Sequence, residues 1–334
     1  MKKIAKILTV CLTLILCVGC FASCGGDSAG ASSDAAKTLK IGIIQYMSHP
    51  SLDNCYNGIV AALDESGINY TVDHQTGSSA SADSDCTGFA QNMVSKNYDM
   101  IIAIATPAAQ AAYAATDGTD IPVIFCAVSD PEAAKLVESN DRPGDKCTGT
   151  SDVLDLEAQV NLIQAMQPDV KTIGILYTSS EANSVTNLNN FKAVCQKRGL
   201  TVEANAVQSG SDIPAAAELL ASKVDCINNF TDNNVVNNLS VVLAAADKYN
   251  IPVYGSEVEQ VKNGCLASVS IDYVSLGKVT GQMAVDVLGG ADASTMAVKT
   301  ISDATPVVNS DVLNNLGMTM PANYNNAETV TTNK

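Results

Sequence analysis

Few side chains in this 334-residue sequence could perform catalysis or bind a metal. Its two histidines, His49 and His74, both lie early in the chain, and no G-x-S-x-G segment supplies a serine for either to activate. No two cysteines after Cys24 lie within four residues of one another, so the spacing of a zinc site is absent. No predicted first strand is followed by the G-x-G-x-x-G of a dinucleotide site. The sequence therefore predicts a protein that is not an enzyme, with no catalytic residues, no metal and no cofactor.

A second set of polar side chains follows the predicted strands, where ligands bind in open α/β sheets. Thr106 with Pro107 is typical of an N-cap followed by proline at the first helical position, and Ser179 or Ser180 of another N-cap. Unpaired N–H groups and the helix dipole favour an anion such as a carboxylate there, although any one of these residues could simply cap its helix. The candidate ligand-binding residues at strand ends are Gln45, Thr106, Pro107, Ser129, Asp130, Ser179, Ser180, Asn183, Asp232 and Ser256.

The elements that must position these side chains alternate along the chain. A predicted strand at 40–45 begins a series of strands and helices that ends with a strand at 122–125. The same alternation restarts at 172–177 and continues to a strand at 252–254. Strands that alternate with helices indicate βαβ units and parallel sheets. The sequence predicts an α/β fold with two Rossmann-like lobes.

The overall composition is that of a packed globular protein. The chain is 46% hydrophobic and 16% charged, long enough for about two domains of roughly 150 residues each. Its net charge of −16 offers no attraction to nucleic acid or to an anionic membrane surface. Aromatic residues make up 4% of the chain and Trp is absent, which argues against a stacking platform for single-stranded nucleic acid. The composition does not exclude a protein that binds a small molecule.

The N-terminus is typical of an export signal. Lys2, Lys3 and Lys6 precede an apolar run at 7–18, which is too short for a membrane span of about 20 residues. Phe21-Ala22-Ser23-Cys24 resembles the bacterial lipobox, so 1–23 is predicted to be a lipoprotein signal peptide and Cys24 the lipidated residue, with Cys20 as the competing site. The Gly/Ser/Ala-rich segment 24–38 is predicted to be a flexible tether. We expect an exported protein, lipid-anchored to the outer face of the cell membrane, whose remaining 16 basic and 35 acidic residues give a net charge of −19.

Seven cysteines follow the lipobox, an odd number without paired spacing. Export would permit disulfides, but several of these cysteines lie in apolar segments such as Ile124-Phe125-Cys126-Ala127. A buried thiol that packs as a small hydrophobic group fits that context. The sequence predicts mostly free, buried thiols.

A family resemblance rests on several of these segments together. They are Ile41-Gly42-Ile43-Ile44-Gln45 with His49-Pro50, 103–110, Ser129-Asp130-Pro131, 148–152, 173–184, 231–233 and 271–273. In this combination the chain resembles the substrate-binding lipoproteins of bacterial ABC importers. Among them it is similar to the tryptophan/tyrosine-type proteins with the type I periplasmic-binding-protein fold. The resemblance covers nearly all of residues 39–320.

The resemblance implies two lobes that are joined by a three-segment hinge and close on a ligand. The crossings are expected near Thr150-Ser151, Ile271-Asp272 and Lys299-Thr300, which adds Ser151 and Asp272 to the candidate ligand-binding residues. The first lobe is then 39–149 with 271–298, the second is 150–270 with 299–321, and 322–334 is a disordered tail.

The resemblance also implies a small zwitterionic ligand, with an aromatic amino acid favoured. Thr106 and the helix start at Ser179/Ser180 would hold its carboxylate. A buried ammonium needs a carboxylate partner, for which Asp232 and Asp272 are the first choices and Asp130 and Glu257 the others. Tyr46, Tyr177 and Tyr273 could stack on an aromatic ring, but an aliphatic amino acid, a peptide fragment or another zwitterion would satisfy the same polar groups.

The expected partners are this small molecule and a membrane-embedded ABC permease, and the protein is expected to be a monomer. A binding protein that reports to a signalling receptor would have the same sequence features. The sequence therefore does not distinguish a role in import from a role in sensing.

Overall fold

The computed structural model describes residues 37–301 and 304–333. The predicted signal peptide, Cys24 and nearly all of the tether lie outside these residues. In the described part of the chain, no helix has both the length and the apolar character needed to cross a membrane.

Strands and helices alternate as the sequence predicts. The helical segment 233–247 is broken at Asn238, where the backbone φ of −112° interrupts the helical geometry. The strands are β1 (Leu39–Gln45), β2 (Tyr70–Thr76), β3 (Met100–Ile104), β4 (Val123–Cys126), β5 (Cys147–Ser151), β6 (Thr172–Thr178), β7 (Thr201–Val207), β8 (Cys226–Asn228), β9 (Val253–Tyr254), β10 (Ala267–Ser270), β11 (Lys299–Thr300), β12 (Thr305–Asn309) and β13 (Glu328–Val330). The helices are α1 (Pro50–Ser66), α2 (Ala82–Ser95), α3 (Thr106–Ala115), α4 (Leu156–Met166), α5 (Ala182–Lys197), α6 (Ile213–Ala221), α7 (Asn233–Asn237), α8 (Leu239–Asp247), α9 (Val258–Lys262), α10 (Tyr273–Leu288) and α11 (Ser310–Asn315).

The first lobe is built on a six-stranded sheet in the order β11-β5-β4-β3-β1-β2. Every neighbouring pair in it is parallel. All residues of β3 and β4 are buried, as expected for central strands covered on both faces. The carboxyl ends of β1, β3 and β4 therefore meet at one edge of the sheet, and this edge faces the second lobe.

The second lobe is built on the parallel sheet β7-β6-β8-β9. Two backbone hydrogen bonds extend it, from Leu266 N to Val253 O (2.7 Å) and from Gly255 N to Ala267 O (2.9 Å). They attach β10, which pairs antiparallel with β12, and β12 pairs parallel with β13. The two sheets thus form the α/β pair of lobes that the sequence predicts.

Three chain segments join the lobes, after β5, between β10 and α10, and between β11 and β12. The short strand β11, which the sequence assigns to the second lobe, pairs with β5 of the first. The segment 322–334, predicted to be a disordered tail, contains β13, which pairs with β12. β13 lies at a sheet edge, and its residues are exposed or only partly buried. The segment therefore lacks the apolar alternation from which a strand is predicted.

Helix α10 returns to the first lobe and packs closely on α1. A methyl group on Gly277 would lie 2.1 Å from the carbonyl oxygen of Cys55, and one on Gly58 would lie 2.1 Å from that of Val274. Both contacts are far shorter than a van der Waals distance. Only hydrogen at these positions lets the two backbones approach, so the glycines fix the path of the second hinge segment.

The seven described cysteines are free and buried, which confirms the prediction from sequence. Burial raises the pKa of the Cys86 thiol to about 12 and that of Cys195 to about 12. These thiols therefore pack as neutral, small hydrophobic groups.

We predict that Gly277→Ala destabilises the protein by about 1–3 kcal/mol, because overpacking at a backbone contact forces α1 and α10 apart. The midpoint of urea unfolding reports the loss. Gly88→Ala is the matched control, since Gly88 lies on the exposed face of α2 and a methyl group there meets nothing within 4 Å. That change should stabilise by roughly 0.5–1 kcal/mol. Equal effects from both variants would contradict the close helix contact.

Candidate functional site: a polar cavity between the lobes

A small cavity lies where the strand ends of the first lobe meet the second lobe. Its volume is about 10 Å³, roughly enough for a single water molecule. Its lining combines loop residues after β3 and β4 with residues at the starts of α1, α5, α7 and α10. The lining residues are His49, Leu52, Ala105, Thr106, Ala127, Ser129, Asp152, Asn183, Thr231, Asn233, Glu257 and Tyr273.

Two alanines on the cavity wall have unusual backbone conformations. Ala105 follows β3 with φ 80° and ψ 154°, a region that is almost exclusive to glycine. Ala127 follows β4 with φ 56°. The Ala105 N–H donates to Cys126 O at 2.9 Å, which holds the strained turn against the neighbouring strand. Strain of this kind is typical of sites where the chain must present particular groups.

The turn at Ala105 sets where α3 begins. Thr106 is the first residue of the helix and Pro107 the second, while Ala105 occupies the N-cap position. The expectation that Thr106 is the N-cap is therefore wrong by one residue. Its hydroxyl is free of the capping role and lies buried in the cavity wall, beside first-turn N–H groups that have no intrahelical acceptor.

Two carboxyl groups line the cavity, those of Asp152 and Glu257. Asp152 accepts hydrogen bonds from Ser129 Oγ and from Tyr273 OH, both at 2.9 Å, and Glu257 accepts one from Gln260 Nε2 at 3.1 Å. Burial raises the pKa of Asp152 to about 6 and that of Glu257 to about 7. No Lys or Arg is among the described residues that line the cavity. The cavity therefore concentrates acceptor oxygens without a cation to pair with them.

Two more buried acids lie behind this wall in the second lobe. Asp232 accepts hydrogen bonds from the backbone N–H and hydroxyl of Thr178 and caps α7 through Val235 N. Glu181 accepts from the backbone N–H of Asn233 at 3.1 Å and from its side-chain Nδ2 at 2.6 Å. Burial raises the pKa of both carboxyls, and the charge of Asp232 raises that of Glu181 further. Because its oxygens are already used, Asp232 supports the loop rather than facing the cavity.

Three polar atoms on the wall are buried and have no hydrogen-bond partner. They are His49 Nδ1, Thr106 Oγ1 and Asn183 Oδ1. The Nδ2 of Asn183 donates to Thr231 O at 3.2 Å and to Glu181 Oε2 at 3.3 Å, so its Oδ1 is the atom left over. A buried polar atom without a partner costs about 1–3 kcal/mol. Three such atoms around one cavity point to a ligand that would satisfy them.

The predicted site residues fall into three groups. Thr106, Ser129 and Asn183 line the cavity, and Pro107 adjoins it in the first turn of α3. Others lie buried beneath it with their side chains hydrogen-bonded inside the protein: Gln45 to Asp53, Ser151 to Ser129 O, Ser256 to Asn229 O, and Asp232 as described above.

The remaining predicted residues lie away from the cavity. Ser179 and Ser180 are exposed because α5 begins later, with Glu181 at its N-cap. Their expected capping role is therefore wrong. Asp272 is exposed and caps α10 through Val274 N at 2.9 Å. Asp130 accepts from Ala133 N in its own turn.

Sequence reasoning did not select Asp152, His49 or Glu181 as site residues. Asp152 directly follows β5, whose five residues are all buried, and that position is the signal that could have identified it. Of the candidate aromatic residues, Tyr273 lines the cavity. Tyr46 is buried with its hydroxyl on Asp83 at 2.9 Å, and Tyr177 is half-buried on β6.

Hydrogen bonds also connect the two lobes directly. Among the described residues they join His49 Nε2 to Asn233 Oδ1 (3.4 Å), Asn54 Nδ2 to Glu259 Oε1 (3.3 Å), and the hydroxyls of Ser129 and Thr231 (3.4 Å). The lobes are therefore in contact across the cleft.

Two lobes with a three-segment hinge and a polar cavity between them define a solute-binding protein. The family model for ABC transporter substrate binding proteins matches residues 40–330, and this chain belongs to that family. A tyrosine-binding protein from Clostridioides difficile is 35% identical over 329 residues, which are 95% of this chain and 94% of that protein.

Solved structures show the same fold, the type I periplasmic-binding-protein fold. An ABC domain from Streptococcus pneumoniae in complex with L-Trp is 38% identical, with a TM-score of 0.84 over 88% of this chain and 100% of that one. The ligand-free, open structure of a substrate-binding protein with adhesive properties from Clostridium difficile is 36% identical, with a TM-score of 0.67 over 89% of this chain and 100% of that one. In this chain the two lobes are hydrogen-bonded to each other, and the cavity between them has a volume of only about 10 Å³. The lobes of this chain are closed.

We predict that Ala105→Gly leaves stability unchanged or raises it, because relief of strain of about 1–3 kcal/mol offsets the entropy that glycine loses on folding. Ala111→Gly, in the regular middle of α3, should instead cost about 1 kcal/mol. Urea unfolding of the two variants compares them directly. A loss above that of Ala111→Gly would show that Ala105 is not strained.

Proposed function

We propose that this protein is the extracytoplasmic capture component of an ABC importer and that it binds an amino acid, preferably an aromatic one, between its lobes. The observation that carries the proposal is the pair of buried carboxyls, Asp152 and Glu257, that line the cavity without a protein cation. An unpaired charge in a closed cleft is too costly to keep, so the balancing charge comes from the ligand. An α-ammonium group fits this role.

The opposite end of the ligand meets the start of α3. Thr106 Oγ1 is unpartnered there, and the first-turn N–H groups and the helix dipole favour a negative charge. A carboxylate bound at this point and an ammonium bound by the acids would orient a zwitterion across the cavity. The site needs no reacting group, and the protein binds without chemistry.

An aromatic side chain is supported by the relatives and by the wall. One relative is named for tyrosine, and the solved Streptococcus pneumoniae domain holds L-Trp. Leu52 and Tyr273 add apolar surface beside the polar groups. A cavity of about 10 Å³ does not hold an amino acid, so the lobes must separate to admit it and then close around it with a larger cavity than this structure has.

The cellular context is also part of the proposal. Residues 1–23 act as a signal peptide, Cys24 carries the lipid anchor and 24–38 form the tether, which places the protein outside the cell membrane as a monomer that delivers its ligand to a permease. The proposed lobes are those expected from sequence, 39–149 with 271–298 and 150–270 with 299–321, except that β11 joins the first lobe, where it pairs with β5, and β13 joins the second, where it pairs with β12. Support comes from the leader sequence and from the family to which the chain belongs.

We predict that L-Tyr or L-Trp raises the thermal unfolding midpoint of the purified protein. A ligand that binds only the folded state at a hundredfold excess over Kd stabilises it by about 2.7 kcal/mol. Asp152→Asn and Glu257→Gln should each weaken binding by roughly 10- to 100-fold, the loss of one charged hydrogen-bond partner.

Asp272→Asn is the matched control, since Asp272 is an exposed helix cap and asparagine caps equally well. Its affinity should equal that of the wild type. If the two cavity variants bind as tightly as this control, the ammonium assignment is wrong; if no amino acid shifts the wild type, the ligand class is wrong.

We predict that affinity rises with pH between about 5 and 8. Burial raises the pKa of Glu257 to about 7 and that of Asp152 to about 6, and a bound ammonium lowers both because it favours the charged carboxylates. Binding therefore releases protons, and affinity falls by up to about tenfold per pH unit and per carboxyl below these values. Titration calorimetry in buffers of different ionisation enthalpy measures the release. Glu257→Gln should flatten the profile near pH 7, and a flat wild-type profile would contradict the prediction.

A further inference from the structure

A chain of hydrogen bonds runs from Glu181 through Asn233 to His49. Glu181 Oε2 accepts the backbone N–H of Asn233 at 3.1 Å, so this oxygen acts as an acceptor. Oε2 also accepts the Nδ2 of Asn183 at 3.3 Å and the Nδ2 of Asn233 at 2.6 Å, so three N–H donors meet at this one oxygen. The Asn233 amide is thereby oriented, and its Oδ1 lies on His49 Nε2 at 3.4 Å.

This orientation decides the tautomer of His49. An amide oxygen is an acceptor only, so His49 Nε2 must carry a hydrogen to bond to it. Burial lowers the pKa of His49 to about 4, which keeps the ring neutral near pH 7. A neutral ring with hydrogen on Nε2 has none on Nδ1. Nδ1 is consequently a bare acceptor.

The acceptor atom is placed in the ligand cavity. His49 lines the cavity and is 8% exposed, and its Nδ1 is buried without a partner. The ring belongs to the residue before α1 of the first lobe, whereas Asn233 begins α7 of the second lobe. The hydrogen bond that fixes the ring therefore exists only while the lobes are closed.

We propose that His49 determines ligand specificity: closure onto Asn233 locks its ring as the Nε2–H tautomer, and its Nδ1 accepts an N–H or O–H group of the ligand. This inference rests on the proposed function, since it assigns a role within the same cavity. A ligand without a donor at this point leaves the nitrogen buried and unpaired, and sites of this kind strongly reject such analogues. In an aromatic amino acid the donor is the α-ammonium group or a donor on the ring, such as a phenol hydroxyl or an indole N–H.

Nitrogen NMR of the protein labelled at its two histidines tests the tautomer directly. His74→Gln assigns the two sets of signals. With L-Tyr or L-Trp bound, His49 should be neutral with hydrogen on Nε2, and its Nδ1 signal should move to lower frequency on binding as the nitrogen accepts a hydrogen bond. An Nδ1–H tautomer, an imidazolium, or an unshifted Nδ1 in the saturated complex would overturn the proposal.

Paired substitutions separate specificity from folding. His49→Gln keeps a donor that can reach Asn233 but loses the acceptor at the δ position, whereas His49→Asn keeps an oxygen near that position and loses the contact with Asn233. We expect His49→Gln to lose 10- to 100-fold in affinity for the preferred ligand and His49→Asn to retain more of it. Equal losses in the two variants would indicate a purely structural role and reject the proposal.

The ligand series identifies the donor. If the ring donor is recognised, His49→Gln loses affinity for L-Tyr but not for L-Phe. If the ammonium is recognised, it loses affinity for L-Tyr and L-Phe but not for 3-(4-hydroxyphenyl)propionate, which lacks the amine. Either pattern supports the proposal, and an equal loss for all three ligands overturns it. Failure of the wild type to bind any of them would instead refute the proposed function, and that result is distinguishable from these.

Discussion

Closing two lobes over a cleft removes carboxyl groups from water, and a carboxylate in such a place needs a positive partner. In this protein the charges of Asp152 and Glu257 are held by neutral hydrogen-bond donors alone, and burial raises the pKa of both. A ligand with a positive charge would supply the missing partner while the cleft is closed.

The rest of the architecture serves to bring these groups together. Parallel strands deliver their carboxyl ends to one edge, and the strained turn at Ala105 starts α3 at the cavity wall. The glycine contacts between α1 and α10 hold both helices, and therefore His49 and Tyr273 at their starts, in a fixed relation. Precision at the site therefore depends on packing that lies about one to three helical turns away from it.

Sequence patterns predicted the elements well because the alternation of apolar strands and helices is local. They also selected Thr106, Ser129 and Asn183, which follow strand ends and line the cavity. They selected Asp272 and not Asp152, although both follow strands at hinge crossings, because only the three-dimensional path places Asp152 at the cavity and Asp272 at the surface. They predicted that α5 begins at Ser179 or Ser180. In the structure the N-cap is Glu181, so both serines precede the helix and are exposed. His49 was not selected because its partner Asn233 is 184 residues away in the chain.

The hydrogen bonds that join the lobes affect the equilibrium between open and closed lobes, and through it the affinity for a ligand. All three measure 3.3–3.4 Å, whereas the bonds of Asp152 within its own neighbourhood measure 2.9 Å. If the lobes of the ligand-free protein also separate, these bonds are among the contacts that set the population of the closed form. The apparent affinity then equals the intrinsic affinity of the closed form multiplied by the fraction of molecules that are closed. Asn54 and Glu259 do not line the cavity, so substitutions there would change ligand affinity through that fraction and not through contact with the ligand.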